Sequence, residues 1–288
     1  MVTTIIAGLS LGAVYAIVAI AYNIVFISTK VFNFAQAQFL LIGAFAGVTL
    51  GNSYSLPLGA TVLLCALLGA AVGALEEVFA IRRLSGKGSH SELVTTLGVG
   101  TMLSGAALIL YGSDPRRTIY FADQTPIKFL GARTNPADLA LVAVALLLGL
   151  VVGLVTRRTM LGLSSLATSE DRQAAQLRGV SVTWLALSSF AIAGGLLAAL
   201  GPLVAAKTYA TYALGDILAV KSFVALAIGG FGSYSGALIG GFSVGLLELF
   251  GARYLGSQWQ NIGVFVLLLV VLLVLPQGIT GTSKQRTV

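Results

Sequence analysis

The segment GLSSLATSEDRQAAQLRGV, residues 162–180, is a polar stretch inside a chain that is otherwise almost entirely apolar. The 288 residues are 57% hydrophobic and 9% charged, with a mean hydropathy of +0.96. Soluble domains contain roughly 25% charged residues, so this composition cannot cover a water-exposed surface. The sequence therefore predicts an all-α polytopic transmembrane helical bundle, in which 162–180 is an amphipathic connection outside the lipid.

Apolar stretches on both sides of this connection are long enough to cross a bilayer, which requires about 20 residues per helix. The stretch at 218–250 is divided by GGFGSYSG, residues 229–236, a cluster typical of a turn. This division gives a short segment, 218–231, and a longer one, 234–250. We therefore expect a single transmembrane domain, 1–288, with eight or nine membrane segments. The other predicted spans are 5–27, 36–51, 57–80, 93–111, 137–156, 184–206 and 261–276.

The distribution of lysine and arginine predicts the orientation, because these residues favour cytoplasmic loops. Three basic regions are separated by an even number of crossings, so all three can be cytoplasmic with the N-terminus outside. They are the end of the third span (Arg82, Arg83, Lys87), the connection at about 157–183 (Arg157, Arg158, Arg172, Arg178) and the tail (Lys284, Arg286). The loop at 112–136, which this topology places outside, is also basic. Its prolines predict a short extended excursion, which either contacts an extracytoplasmic partner or is an ordinary solvated loop.

The motif NFAQAQ, residues 33–38, places amide side chains where the second span begins. Amides in or near hydrocarbon are costly unless they are hydrogen-bonded. Asn33 and Gln36 are one helical turn apart, so a helix would place them on one face. Together with Gln38 they either form a polar entrance to a pathway or cap a helix and bond to neighbouring helices.

The polar connection contains the signals of a short helix. Ser169, Glu170 and Asp171 resemble a helix start, since acidic residues favour the positive end of the helix dipole. Gly179 is a plausible helix stop. Three residues between these signals offer a shallow apolar surface: Ala174, Ala175 and Leu177. The predicted helix lies across the membrane face, either as an interfacial helix or as a docking element for another protein.

The glycine cluster at 229–236 also has two interpretations. Gly229, Gly230 and Gly232 permit backbone conformations that other residues rarely adopt. They form either a tight turn between helices or a broken helix that borders a pathway. Two ionisable residues, Lys221 and Glu248, are the nearest to membrane depth in this region, and we expect them at an interface or extending to one.

Residues that would perform chemistry are absent from the sequence. Glu76 and Glu77 follow a span beside two arginines, so we interpret them as charges at a helix end. His90 is the only histidine and Cys65 the only cysteine, and there is no metal-ligand cluster, phosphate-binding loop or nucleophile elbow. We expect no catalytic residue, no metal and no cofactor. The net charge of +7 is interpreted as a determinant of orientation, and no nucleic-acid partner is expected.

Several stretches occur in the order found in one known family. They are GLSLGAVYAIVAIAYNIVF with NFAQAQFLLIGAF, ATSEDRQAAQLRGVSV, GGFGSYSGALIGG and VLPQGITG. With these motifs, nearly the whole chain resembles the permeases of the branched-chain amino acid ABC transporter family, LivH/LivM type. That family usually has Asn-Phe-Ala-His/Gln-Gly-Glu in the second motif, whereas this chain has Ala37 and Gln38 at the last two positions. The change at 38 removes a carboxylate that could pair with an ammonium group of the solute.

The resemblance implies a permease subunit of an ABC importer in the bacterial plasma membrane. Its implied partners are a second permease subunit, expected to be a paralogue, two cytoplasmic ATPases, an extracytoplasmic solute-binding protein and membrane lipid. Few buried acids are available for coupling to a proton gradient, which favours an external source of energy. Two alternatives stay open: a urea or short-chain amide permease of the same family, and a stand-alone secondary transporter or channel. An intramembrane enzyme is disfavoured by the missing catalytic cluster.

Matching to the family motifs also gives candidate functional residues. The ATPase-coupling candidates are Glu170, Asp171, Ala174, Ala175 and Gly179. The translocation-pathway candidates are Asn33, Phe34, Gln36 and Gln38, to which the broken-helix interpretation adds Gly229, Gly230 and Gly232.

Overall fold

The computed structural model describes residues 1–84, 89–120, 125–129, 131–275 and 277–280, which form a bundle of apolar helices. Lys87, Lys284, Arg286 and the side chain of His90, which the sequence analysis singled out, lie outside the described residues.

The described helices are α1 (Val2–Thr29), α2 (Gln36–Asn52), α3 (Leu58–Glu76), α4 (Ser89–Tyr111), α5 (Pro136–Arg158), α6 (Met160–Glu170), α7 (Arg172–Leu177), α8 (Val182–Thr208), α9 (Leu214–Gly229), α10 (Tyr234–Tyr254) and α11 (Trp259–Val274). Helix α3 continues through a π-helical turn, Glu77–Ile81, and a 3₁₀ turn, Arg82–Leu84. In the 112–136 loop, β1 (Ile127–Phe129) and β2 (Ala132–Thr134) form a short antiparallel hairpin.

The predicted polytopic helical bundle is confirmed. Six of the described helices are long and apolar enough to cross a membrane: α1, α3 with its extension, α4, α5, α8 and α10. Helices α2, α9 and α11 are also apolar but only 17, 16 and 16 residues long. The predicted break in 218–250 is present, because α9 ends at Gly229 and α10 begins at Tyr234.

Helix α1 lies in the interior of the bundle and packs against α5, α8, α9 and α10. Its backbone meets that of α10 directly, since a Cβ placed on Gly245 would lie 2.2 Å from the nitrogen of Gly12. Helices α3 and α8 meet in the same way, because a Cβ on Gly69 would lie 2.4 Å from the oxygen of Gly194. Lipid supplies no hydrophobic drive for helix association, so these close backbone contacts stabilise the bundle through van der Waals packing.

The bundle has two ends, and we name the one with the 159–180 connection the α6–α7 end. The end of α1 lies there, because Ser28 Oγ is 3.3 Å from Ser165 Oγ and 2.6 Å from Ser189 Oγ. Helices α3 and α8 are antiparallel, so α3 also ends there. Six basic residues of the predicted cytoplasmic regions therefore share this end, as an even number of crossings requires: Arg82, Arg83, Arg157, Arg158, Arg172 and Arg178.

The opposite end of the bundle is joined by polar contacts between its loops and helix ends. Asn52 Nδ2 donates to the carbonyl of Arg117 at 2.9 Å, and Arg116 and Ala210 exchange backbone hydrogen bonds. Lys207 forms a 2.6 Å ion pair with Asp138 there. The basic 112–136 loop thus lies at the opposite end of the bundle from the arginines of the α6–α7 end.

Candidate functional site

The connection that contains α6 and α7, residues 159–180, is folded tightly against the end of α5; we call it the α6–α7 connection. Thr159 caps α6 by accepting a hydrogen bond from the nitrogen of Gly162 at 3.2 Å. A Cβ on Gly162 would lie 2.3 Å from the backbone of Thr156, so only glycine allows this close return. Helix α6 then packs against α1 and α5, which fixes the position of α7 relative to the membrane helices.

A cap at Asp171 begins α7 at the far side of this connection. Its Oδ1 accepts hydrogen bonds from the nitrogens of Gln173 and Ala174, at 2.9 and 3.0 Å. The sequence indicated a helix start at Ser169–Asp171, but Ser169 and Glu170 belong to the end of α6. Asp171 alone acts as the cap, because its extended backbone separates the two helices.

The end of α7 agrees with the predicted stop. Gly179 has φ +89°, a left-handed conformation that glycine adopts without strain. The nitrogen of Val180 donates back to the carbonyl of Ala175 at 3.1 Å, which closes the last turn. The result is a short, rigidly terminated helix.

The five ATPase-coupling candidates differ in exposure. Glu170, Asp171, Ala174 and Gly179 are exposed, whereas Ala175 is only 5% exposed and packs inward. Leu177, which the sequence placed on the same apolar surface, is 90% exposed. An exposed leucine beside Ala174 and away from the apolar helices gives α7 a small apolar surface that a protein partner could cover.

The amides of the NFAQAQ motif are buried at the junction of α1, α2 and α3. Asn33 Nδ2 donates to Glu76 Oε2 at 2.8 Å and lies 3.2 Å from Gln36 Oε1. Asn33 and Gln36 are therefore neighbours, but Asn33 lies in the turn before α2, so they do not share a helix face as their spacing predicted. The interpretation of Glu76 as a charge at a helix end is wrong, because it is 5% exposed and accepts this bond. Glu77 does pair with an arginine, Arg82, at 2.6 Å.

Gln38 belongs to a second group of polar side chains, which it forms with residues of α4 and α9. Gln38 Nε2 donates to Asp216 Oδ1 at 2.7 Å, and Ser104 Oγ lies 3.3 Å from Asp216 Oδ2. Both groups lie at the start of α2, and together we call them the polar cluster: Asn33, Gln36, Gln38, Glu76, Ser104 and Asp216. All of them except Asp216 are buried.

Several buried polar atoms in this region have no hydrogen-bond partner among the described residues. They are Gln36 Nε2, Gln38 Oε1 and Glu76 Oε1 in the polar cluster, and Ser222 Oγ on α9. An unsatisfied buried polar group costs about 1–3 kcal/mol. Both groups of the polar cluster thus contain buried atoms whose hydrogen bonding can be completed by water or by a solute.

Phe34, the fourth pathway candidate of the motif, is half-buried in a group of aromatic rings. Its ring centroid lies 4.7 Å from that of Phe32 and 5.8 Å from that of Phe223 on α9. Phe32 also stacks on Tyr22 at 4.7 Å. These contacts hold the 30–35 connection against α1 and α9, directly beside the polar cluster.

The glycine candidates lie elsewhere, in the α9–α10 turn at the α6–α7 end. A Cβ on Gly229 would lie 2.0 Å from the carbonyl oxygen of Gly236, and Gly230 and Gly232 have φ of +103° and +83°. Asn23 holds this turn, since its Oδ1 accepts from the nitrogen of Gly232 at 2.8 Å and its Nδ2 donates to the carbonyl of the next residue at 2.9 Å. The turn interpretation accounts for the contacts of all three glycines.

The two charges expected at or near an interface form an ion pair inside the bundle. Lys221 Nζ lies 2.5 Å from Glu248 Oε1, and Glu248 is 2% exposed. Tyr15 OH and Gln260 Nε2 both donate to the same carboxylate at 2.6 Å. The group joins α1, α9, α10 and α11.

Sequence reasoning missed three residues with evident roles: Asn23, Ser104 and Asp216. Asn23 and Ser104 give no local signal, since single small polar residues are common in membrane helices. Asp216 does give one, because an acid inside an apolar segment marks a functional site by default. Its partner Gln38 comes from a distant part of the chain, which the sequence alone could not pair with it.

Comparison with known proteins agrees with this membrane architecture. Residues 4–275 match the family described as "Branched-chain amino acid transport system / permease component". The chain is 28% identical to the high-affinity branched-chain amino acid transport system permease protein BraD of Pseudomonas aeruginosa, over 98% of this chain and 96% of that one. It is 26% identical to LivH of Escherichia coli strain K12, again over 98% and 96%.

An archaeal relative matches over a similar length. The probable branched-chain amino acid transport permease protein LivH of Methanocaldococcus jannaschii is 25% identical over 94% of this chain and 89% of that one. The family match covers more than nine-tenths of the chain and includes both the polar cluster and the α6–α7 connection. The protein is a multi-pass membrane protein that belongs to the branched-chain amino acid transport permease family.

Proposed function

We propose that the chain is the permease subunit of an ABC importer that moves branched-chain or related amino acids across the bacterial inner membrane. The observation that supports this most directly is the exposed α7, held by α6 at one end of a bundle whose interior contains the polar cluster. A partner ATPase that contacts α7 could move the membrane helices through α6, which packs on α1 and α5.

In this proposal the chain supplies the pathway, and ATP is hydrolysed on partner subunits. A second permease subunit completes the pathway, two cytoplasmic ATPases contact the α6–α7 ends, and an extracytoplasmic protein delivers the solute. Glu170, Asp171, Ala174 and Gly179 contact the ATPase, and Ala175 supports them from beneath. Asn33, Phe34, Gln36 and Gln38 form part of the pathway wall.

Gly229, Gly230 and Gly232 serve this pathway indirectly. They fix the short helix α9, which contributes both Asp216 and Phe223 to the region of the NFAQAQ motif. Their role is thus to position α9 rather than to contact the solute.

The experiment is uptake into proteoliposomes that contain the reconstituted assembly, with ATP inside and a screen of amino acids and urea outside. We expect ATP-dependent uptake of leucine, isoleucine or valine, and none with a non-hydrolysable nucleotide. Uptake of urea alone would favour the short-chain amide alternative. Uptake by the purified chain without ATPases, driven by an ion gradient, would show a secondary transporter instead.

A further inference from the structure

Helix α9 places an acidic residue, Asp216, between the two ends of the bundle. From Asp216 to the turn at Gly229, at roughly 1.5 Å per residue, the helix is about 20 Å long. Ser104, which contacts Asp216, is seven residues, or roughly 10 Å of helix, from Tyr111 at the opposite end of the bundle. A bilayer has a hydrocarbon core of about 30 Å, so the Asp216–Gln38 contact lies within it.

Asp216 is nevertheless exposed on the surface of this chain, next to Ile217, which is 52% exposed. A carboxylate that faces lipid at this depth is strongly unfavourable, so ionisable residues here face protein or a water-filled cavity. The exposed face at the start of α9 therefore faces a pathway or a protein rather than lipid.

The carboxylate of Asp216 is held in place but has no cationic partner in the described part of the chain. Gln38 Nε2 donates to one of its oxygens at 2.7 Å, and the hydroxyl of Ser104, which it shares with the carbonyl of Gly100 at 2.9 Å, lies 3.3 Å from the other. Lys221, the basic residue of the same helix, is already paired with Glu248. The contacts with Gln38 and Ser104 fix the direction of the carboxylate without neutralising it, which leaves its negative charge available to a ligand.

The backbone next to Asp216 is adapted to this arrangement. A Cβ on Gly215 would lie 2.0 Å from Gln38 Oε1, so any larger residue would displace the carboxamide. That oxygen is itself an acceptor without a partner. The surroundings of Asp216 thus combine one negative charge with a further unsatisfied acceptor, a set that suits a cation with several N–H donors.

We propose that Asp216, oriented by Gln38 and Ser104, binds the ammonium group of the transported solute. The inference rests on the proposed function and narrows its substrate class to compounds with a primary ammonium, as opposed to neutral amides such as urea. Gln38 of the NFAQAQ motif hydrogen-bonds to this carboxylate of α9, so the start of α2 and the start of α9 form the site together.

The test measures binding to the purified permease–ATPase complex in nanodiscs, without the solute-binding protein. The probes are radiolabelled leucine and 4-methylpentanoate, which has the same carbon skeleton but no ammonium group. We expect the wild-type complex to bind leucine at least about tenfold more tightly than 4-methylpentanoate, the ratio for one charge-assisted hydrogen bond. Asp216→Asn should abolish this preference, and Asp216→Glu should retain part of it.

Two controls separate ligand binding from a structural role. Asp114→Asn removes an exposed carboxylate elsewhere in the chain and should leave the preference unchanged. Ser104→Ala removes one donor to Asp216 and should weaken leucine binding less than Asp216→Asn does. The mass of each complex, measured by light scattering, reports whether the permease pair is intact.

An unchanged preference in Asp216→Asn would overturn the inference, as would loss of the permease pair in that variant, which would assign Asp216 to the subunit interface. The inference would also be overturned if the wild-type complex takes up leucine with ATP but binds leucine and 4-methylpentanoate equally well. That result would leave the proposed function in place. Failure of ATP-dependent amino acid uptake by the wild type would instead refute the proposed function.

Discussion

Lys221 Nζ lies 2.5 Å from Glu248 Oε1, which joins α9 to α10 inside the bundle. Lys221→Met would leave the buried Glu248 carboxylate with two neutral donors and no cation. Breaking such a pair on one side costs about 3–5 kcal/mol. We expect a clear fall in the thermal unfolding temperature of the detergent-solubilised protein.

The double variant Lys221→Met/Glu248→Leu should recover most of this loss, because no unpaired charge remains. Lys128→Met, which removes an exposed lysine from the β1 strand, is the control and should have little effect. A Lys221→Met protein as stable as the wild type would show that the pair contributes nothing to stability.

Asn23 should be important for the α9–α10 turn. Asn23→Ala removes hydrogen bonds to the backbone of Gly232 and Ser233. Gly232 is exposed and Ser233 is half-buried, so water can solvate the freed groups in part, and we expect a loss of about 0.5–1.5 kcal/mol for each hydrogen bond. Chemical denaturation in detergent measures it. Asn52→Ala, which removes comparable bonds at an exposed site, should cost less, and equal losses would contradict the special role of Asn23.

Close helix contact at one glycine but not at another predicts that two glycine-to-alanine substitutions differ in their effect on stability. A Cβ on Gly43 would lie 2.1 Å from the carbonyl oxygen of Ala198, so Gly43→Ala must separate α2 from α8. Gly98 of α4 has no atom within 4 Å of its Cβ position. Thermal unfolding should therefore show destabilisation of Gly43→Ala, and an unchanged or slightly more stable Gly98→Ala. Similar values for both variants would refute close contact of α2 and α8.

Docking of an ATPase on α7 is tested by Ala174→Glu. Ala174 is exposed, so the new carboxylate should leave folding intact but abolish co-purification of the ATPase and ATP-dependent uptake. Ala175 is unsuitable for this test because it is buried and its replacement would disturb packing. Ser53→Glu adds the same charge at the opposite end and should change neither result. An intact complex with Ala174→Glu would exclude α7 as the contact.

The orientation is tested by cysteine labelling. In a Cys65→Ala background, Arg172→Cys should react with an impermeant maleimide only in inside-out vesicles, and Ser53→Cys only in intact cells. The two residues lie at opposite ends of the bundle, so any orientation must label them from opposite sides. Labelling of Arg172→Cys on intact cells would invert the proposed topology.

The sequence was sufficient to predict the membrane helices because their signal is local. The predicted span at 36–51 is α2, Gln36–Asn52, and the predicted break after Gly229 separates α9 from α10. Helix α6 was not predicted as a separate element. Its polar residues resemble a loop, but the cap at Thr159 and packing on α1 and α5 stabilise it as a helix.

Only those contacts of the polar cluster that are local in sequence could be predicted. The spacing of Asn33 and Gln36 indicated that their side chains are neighbours, and they meet across the turn that precedes α2. The burial of Glu76 could not be read from its position beside Arg82, since it depends on how α3 extends past the 30–35 connection. The contact between Gln38 and Asp216 could not be predicted either, because it joins two helices that are distant in sequence.

The short helix α9 has a consequence for how the protein is made. Lys221, near the middle of α9, opposes membrane entry by about 2.5–3.5 kcal/mol, Asp216 in the first turn adds to this cost, and α9 has only 16 residues to offset them. Glu248, which pairs with Lys221, lies on α10. We therefore expect α9 to leave the translocon stably only together with α10, and a ribosome that stalls before α10 should leave α9 outside the bilayer.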